Sequence, residues 1–200
     1  MSRRRIAVIG AGLGGLSAAV RLAARGQNVD LFERTDAVGG KAGEIREEGF
    51  RFDTGPSLVT MPFVLEDLFQ AAGERLSDHL DLVPISPLCR YWYPDGSRLD
   101  ALAGIGPMEE AVRGFSPADA DGFRAFMAYS ERLYRLTADV FIFHQLSDAL
   151  RRLNRQNLLT LLSLWRIDPF RTVHRAVSSY FKDHRLVQLF DRYATYNGSN

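Results

Sequence analysis

Arg5-Ile6-Ala7-Val8-Ile9-Gly10-Ala11-Gly12-Leu13-Gly14-Gly15 is a short apolar run rich in β-branched side chains that passes directly into a glycine cluster. Helical periodicity follows, through Leu16, Ala19, Val20, Leu22 and Ala23 to Gly26. Asn28 to Phe32 is a second β-rich run, and it delivers Glu33 at its end. Strand, tight turn, helix, strand and acidic residue together fit one βαβ element. Each glycine has a physical task in that element. Gly10 permits the tight turn, Gly12 lets backbone approach a pyrophosphate, and Gly15 lets the helix sit close to the strand. The helix amino terminus then faces the phosphates. Glu33 suits a free ribose 2′-hydroxyl and would repel a 2′-phosphate, so NADP is disfavoured. A glycine triplet alone can be a turn that merely packs a helix, but with both flanking elements and Glu33 it points to dinucleotide binding.

Glu33-Arg34-Thr35-Asp36-Ala37-Val38-Gly39-Gly40-Lys41 adds a second glycine pair soon after the acid. Paired glycines beside a lysine offer backbone N–H groups and one cation to a diphosphate. The plainer reading is a Gly-Gly turn before a strand. Further on, Gly49 to Ser57 alternates apolar and polar residues and then stops at Gly55-Pro56, as a strand entering a loop would.

These segments resemble the glycine-rich amino-terminal half of the flavoprotein superfamily of amine oxidases and protoporphyrinogen oxidases. The run Phe52-Asp53-Thr54-Gly55-Pro56-Ser57-Leu58-Val59-Thr60-Met61-Pro62 is most similar to the bacterial-type phytoene desaturases, as are the Asp67-Leu68-Phe69 and Phe115-Ser116-Pro117 neighbourhoods. The resemblance covers essentially the whole chain and implies FAD, held by Gly10, Gly12, Leu13, Gly14, Gly15, Glu33, Arg34, Gly39, Gly40, Lys41, Gly55, Pro56 and Ser57. Lys41 departs from the superfamily's usual arginine, which keeps the charge and loses bidentate phosphate geometry. The implied fold class is α/β: a Rossmann-type FAD-binding βαβ unit over residues 1–80, the start of a substrate-domain sheet over 81–105, and a largely helical substrate or lid subdomain over 106–200. Relatives run to about twice this length or more, and further strands of a doubly wound sheet are not obvious after residue 105, so a truncated chain lacking its carboxy-terminal half is expected.

The 200 residues are 46% hydrophobic and 24% charged, with a net charge of +1, which excludes wholesale disorder. The single cysteine, Cys89, cannot form an internal bridge, and a reducing compartment is the simplest reading. Arg3, Arg4 and Arg5 ahead of uncharged Ile6 to Val20 imitate a secretory signal, but the glycines would weaken such a helix. Neither that run nor Gln156 to Trp165 is long enough to span a bilayer. A cytoplasmic protein is therefore expected, and the lipid-soluble carotenoid substrate that the resemblance implies makes it peripherally membrane-associated.

Charge is unevenly spread. Residues 51–150 carry 8 basic and 15 acidic side chains, and residues 151–200 carry 9 basic and 3 acidic. Leu88 to Tyr93 and Arg98 to Leu102 flank Pro94-Asp95-Gly96-Ser97, which reads as a hairpin. Tyr91, Trp92 and Tyr93 are then either packed core or the lining of an apolar tunnel. From Pro107 the pattern is helical, with Ser116 as N-cap, Pro117 at the first position and a periodic stretch to Leu136. Helices are expected over Phe141 to Arg152, Gln156 to Trp165 and Arg171 to Tyr193, broken near Asn154 and at Asp168-Pro169. The last quarter mixes Leu158, Leu159, Leu161, Leu162, Leu164, Trp165 and Phe170 with Arg151, Arg152, Arg155, Arg166, Arg171 and Arg175, which fits either a helix lying on an anionic membrane or a core helix with a basic solvated face. No recognition module for nucleic acid accompanies that charge.

If the resemblance holds, the reaction removes hydrogens from adjacent carbons of phytoene or a related lipophilic carotenoid, with hydride passing to FAD. The resemblance places Asp148 and Arg151, three residues apart on one helix face, close to the flavin; the same spacing also makes an everyday surface ion pair. His79, His144, His174 and His184 have no metal spacing, and no metal is assigned. Ser17 and Ser57 lack a partnered base. Other readings are a hydroxycarotenoid 3,4-desaturase, an amine or porphyrinogen oxidase, an NAD-dependent dehydrogenase, and a flavin-less prenyl-protein binding module like the Rab GDP dissociation inhibitors.

Overall fold

The computed structural model describes residues 5–142, 167, 168 and 170–197, which fall into two compact units divided between Val83 and Pro84. Asp148, Arg151 and the basic leucine-rich stretch from Arg151 to Arg166 lie outside the described residues.

In the first unit, β1 (Arg5–Ile9) and β2 (Asn28–Phe32) pair in parallel, in register from Arg5 opposite Asn28 to Ile9 opposite Phe32. α1 (Leu13–Ala24) joins them. It ends because Gly26 takes φ +75°, returning its own N–H to Ala23 O and that of Gln27 to Leu22 O, the paired bonds of a Schellman stop. β3 (Glu44–Glu47) and β4 (Phe50–Asp53) form an antiparallel hairpin. Its two loop residues, Glu48 and Gly49, have φ of +51° and +84°, the left-handed pair that a type I′ turn needs. α2 (Pro62–Ala71) starts with proline at its first position, where the missing N–H costs nothing. α2 has no counterpart in the expectations above, and β3 is the strand that the Gly39-Gly40 turn precedes. β3 is charged at three of its four positions and has little apolar signal to read. Among the described residues of this unit the buried hydrophobics are Ala11 and Leu76, while Ile9 is 88% exposed.

The second unit has a denser core. β5 (Cys89–Trp92) and β6 (Arg98–Ala101) form an antiparallel hairpin, from Cys89 opposite Ala101 to Trp92 opposite Arg98. α3 (Ile105–Phe115), α4 (Ala120–Phe141), α5 (Val173–Ser178) and α6 (His184–Asp191) follow, and a 3₁₀ turn runs over Arg192–Asn197. Leu99, Met108, Val112, Phe123, Val177, Phe181, Leu186 and Leu189 meet in one cluster, and Phe181 stacks on Phe190 at 4.9 Å. The expected single helix over Arg171 to Tyr193 is instead two short helices, because Asp183 caps α6 through its side chain and resets the chain direction.

Two sequence readings change here. Ser116 stands at the N-cap position with Pro117 after it, but of a 3₁₀ turn, Pro117–Asp119, and its hydroxyl donates to Asp119 Oδ2 at 2.8 Å instead of capping a backbone N–H. Asp119, 1% exposed, accepts from the backbone N–H groups of Lys182 (2.7 Å) and Asp183 (3.0 Å), fastening the start of α4 to the approach to α6. The Tyr91-Trp92-Tyr93 triplet also separates by strand alternation. Tyr93 is buried against Phe115 and donates to Arg185 O, and Tyr91 packs on the same core, whereas Trp92 points the other way and is 71% exposed. Tyr93→Ala is expected to destabilise the protein by about 3 kcal/mol and Trp92→Ala by less than about 0.5 kcal/mol in urea unfolding. Equal losses would contradict this assignment of faces.

Candidate cofactor site

Three glycine-bearing segments converge at the carboxyl end of β1. The first is the turn from Gly10 to Gly15. Gly10, at φ +95°, donates its N–H to Phe32 O at 2.7 Å, so the turn is tied to the end of β2. A Cβ on Gly15 would lie 1.8 Å from Gly10 O, which is why the helix can approach the strand so closely only with glycine there. A Cβ on Gly14 would meet nothing within 4 Å. The first bond of α1 runs from Leu16 N–H to Gly12 O, so the amides of Leu13, Gly14 and Gly15 precede the helical ladder and point out of its positive end.

The second segment is Gly39-Gly40-Lys41. Gly39 forms a parallel bridge with Gly12 and donates to Ala11 O at 2.8 Å. A Cβ on Gly40, at φ +60°, would stand 3.0 Å from Gly12 Cα, so the two turns lie backbone against backbone. The third segment is the loop after β4, where a Cβ on Gly55 would fall 1.7 Å from Lys41 O and Thr54 N–H donates to Gly43 O. Lys41, Arg34, Pro56 and Ser57 are exposed around this cluster. All thirteen residues expected to bind a cofactor thus lie on these three segments or at the end of β2.

Glu33 sits at that strand end with its two oxygens in different surroundings. Oε2 accepts the Ala11 N–H at 2.7 Å, while Oε1 accepts the amides of Arg34 (2.8 Å) and Thr35 (2.9 Å) and the Thr35 hydroxyl (3.0 Å). The Thr35 amide, then the Ala11 amide, then the Thr35 hydroxyl hold the carboxyl down at about 2, against an ordinary 4.5. It is therefore ionised at neutral pH. A group whose folded-state pKa is depressed stabilises the fold above its unfolded pKa and loses that contribution as pH falls. Denaturant titrations should show stability declining between pH 4.5 and pH 2, and Glu33→Gln should flatten that decline. An identical slope in the variant would contradict the bond set drawn here.

The cluster fits a dinucleotide. Amides at the start of α1, the open space beside Gly14 and an ionised acceptor at the next strand end match a diphosphate and a ribose. Oε2 carries one bond, which leaves it a lone pair for a ribose hydroxyl.

The family described as flavin containing amine oxidoreductase matches residues 13–197. The chain belongs to that family. It is 39% identical over 194 residues to a phytoene dehydrogenase of Streptomyces griseus, covering 96% of this chain and 38% of that protein. It is equally 39% identical over 203 residues to a hydroxyneurosporene desaturase of Rhodobacter capsulatus, covering 98% and 40%. A lycopene-forming phytoene desaturase of Pseudescherichia vulneris is 34% identical over 204 residues, covering 98% and 39%. The chain spans about two-fifths of the length of these relatives. The family's cofactor is a flavin.

Two further arrangements escaped the sequence reading. A cavity of about 560 Å³ runs beside α2, lined by Glu66, Gln70, Glu74, Arg75, Leu80 and Leu82 among others. His174 Nδ1 lies 2.7 Å from Asp191 Oδ2, and its Nε2 lies 3.4 Å from the Ser178 hydroxyl. The N–H groups that follow, on Ser179, Tyr180 and Phe181, are bonded to Ala176 O and Val177 O and are not free as oxyanion donors, and the His174–Asp191 contact ties α5 to α6. Among the described residues no group of three or more His, Cys, Asp or Glu could hold a metal ion, and no helix is long and apolar enough to cross a membrane.

Proposed function

We propose that the full-length protein is an FAD-dependent carotenoid desaturase acting on phytoene or a related carotenoid. The observation that carries this reading is the match, over nearly the whole chain, to proteins named for phytoene and hydroxyneurosporene desaturation. FAD, as the particular flavin, is supported by the two glycine turns set backbone to backbone beside Glu33, since a diphosphate needs amides and the adenosine ribose needs an acceptor. In this reading residues 1–80 form the Rossmann-type FAD-binding part, 81–105 begin the substrate sheet, and 106–200 belong to a helical substrate subdomain.

Bound flavin supplies a hydride acceptor. Desaturation then requires one hydrogen to leave a substrate carbon as hydride and one to leave its neighbour as a proton, with a carbon–carbon double bond formed between them. The amides of Leu13, Gly14 and Gly15 and the Lys41 ammonium would hold the diphosphate, and Glu33 would hold the ribose. Asp148 is assigned to accept the proton and Arg151 to place positive charge beside the flavin. Asp148→Asn should lower activity at least about tenfold with FAD retained; little loss would remove the essential base.

The carotenoid is a lipid, and the arginine and leucine-rich stretch from Arg151 to Arg166 suits peripheral contact with an anionic membrane on the cytoplasmic side. Charge reversal of Arg151, Arg152 and Arg155 should end binding to anionic vesicles; unchanged binding would refute that contact. A hydroxycarotenoid substrate is the second reading, favoured by the equal 39% identity to a hydroxyneurosporene desaturase. The two are separated by expressing the full-length protein in cells that accumulate either carotenoid and profiling the organic extracts. New double bonds in neither extract would overturn the carotenoid reading.

A further inference from the structure

We propose that Thr35 is a positioning residue for the dinucleotide, coupling the ribose acceptor Glu33 to the loop that carries the second glycine pair. The inference rests on the flavin reading above and adds a residue that the glycine motifs do not contain. The Thr35 hydroxyl lies 3.0 Å from Glu33 Oε1 and 2.9 Å from Ala37 O, and both are acceptors for its single proton. From Ala37 the chain reaches Gly39, whose N–H donates to Ala11 O at 2.8 Å, and the Ala11 N–H donates back to Glu33 Oε2 at 2.7 Å.

Glu33, Thr35, Ala37, Gly39 and Ala11 therefore close a ring, and the Thr35 hydroxyl is the one side-chain donor in it. The other contacts are backbone N–H groups donating to backbone carbonyls or to Glu33. With Oε1 saturated by the Arg34 and Thr35 amides and the Thr35 hydroxyl, the carboxylate is held with Oε2 turned toward Ala11 and the glycine turn. A hydrogen bond to an ionised carboxylate is worth more than one between neutral groups, so a single hydroxyl at this place has leverage on the acceptor's orientation.

The test uses the full-length protein stripped of flavin, with affinity for FAD read from flavin fluorescence and thermal unfolding read in parallel. Thr35→Val, which keeps the β-branch and removes the hydroxyl, should weaken FAD binding about tenfold with the unfolding temperature little changed. Thr35→Ser should stay within about twofold of the wild type. In a Glu33→Gln background, Thr35→Val should cost little more, because its effect passes through the carboxylate. Unchanged FAD affinity in Thr35→Val, equal losses in Thr35→Val and Thr35→Ser, or a full tenfold loss persisting in Glu33→Gln would each overturn the proposal while leaving the flavin reading intact. Failure of the wild type to bind FAD would overturn both.

Discussion

Gly15→Ala is expected to cost about 3 kcal/mol of stability in the first unit and to lower flavin affinity at least about a hundredfold. The added methyl would stand 1.8 Å from Gly10 O and 3.0 Å from Gly10 C, where ordinary contact begins near 3.4 Å. The obstacle is backbone, not the end of a flexible side chain. It is also anchored, since Gly10 N–H is bonded to Phe32 O and Gly10 itself sits at φ +95°. α1 would have to lift away from β1, and the amides at its start would move with it. Gly14→Ala is the informative companion, because its methyl meets nothing within 4 Å. It should leave stability equal to or slightly above the wild type, as alanine favours a helix by about 0.5–1 kcal/mol, yet weaken flavin binding if a phosphate uses that space. Calorimetry and flavin titration on both variants would check this, and equal behaviour of the two would contradict the packing described for Gly15.

Asp119→Ala should destabilise the second unit by about 3–4 kcal/mol. The side chain is 1% exposed and takes three hydrogen bonds, from Lys182 N–H, Asp183 N–H and the Ser116 hydroxyl. Truncation takes the acceptor from the Lys182 and Asp183 amides. It also releases the approach to α6, where Asp183 holds the Arg185 guanidinium that bonds Asp95 and Ser97 of the hairpin loop. Asp119→Asn retains one oxygen acceptor and should lose about half as much. Urea midpoints measured at constant slope would establish the order Asp119, Asn, Ala; a loss below about 1 kcal/mol for alanine would contradict the role given to this carboxylate.

Much of the first unit was legible because its signals are local. β1, β2 and the turn between them follow from an apolar run, a glycine cluster and a second β-branched run, and their bounds match the sequence reading at Arg5–Ile9 and Asn28–Phe32. The hairpin at Pro94–Ser97 was equally local. What stayed hidden depends on contacts between residues far apart in the chain. Nothing near Asp119 announces that its partners are Lys182 and Asp183, and the apparent capping signal at Ser116 points instead at Asp119. In the same way the glycine pair at Gly39 and Gly40 was readable as a phosphate turn, but its seat against Gly12 was not. Thr35 carries no motif at all; only the distances from its hydroxyl to Glu33 and Ala37 single it out. Alternation along β5 was available from sequence and would have separated Trp92 from Tyr91 and Tyr93.

The central claim, that a flavin on this glycine cluster takes hydride from a carotenoid, is tested most directly by a single turnover without oxygen. Flavin-loaded full-length protein would be mixed anaerobically with phytoene in lipid vesicles while the absorption spectrum and the extracted pigments are followed. Bleaching of the oxidised flavin bands, matched by one new carbon–carbon double bond per flavin reduced, is the result expected. A flavin that stays oxidised beside unchanged phytoene and unchanged hydroxycarotenoid would contradict the account.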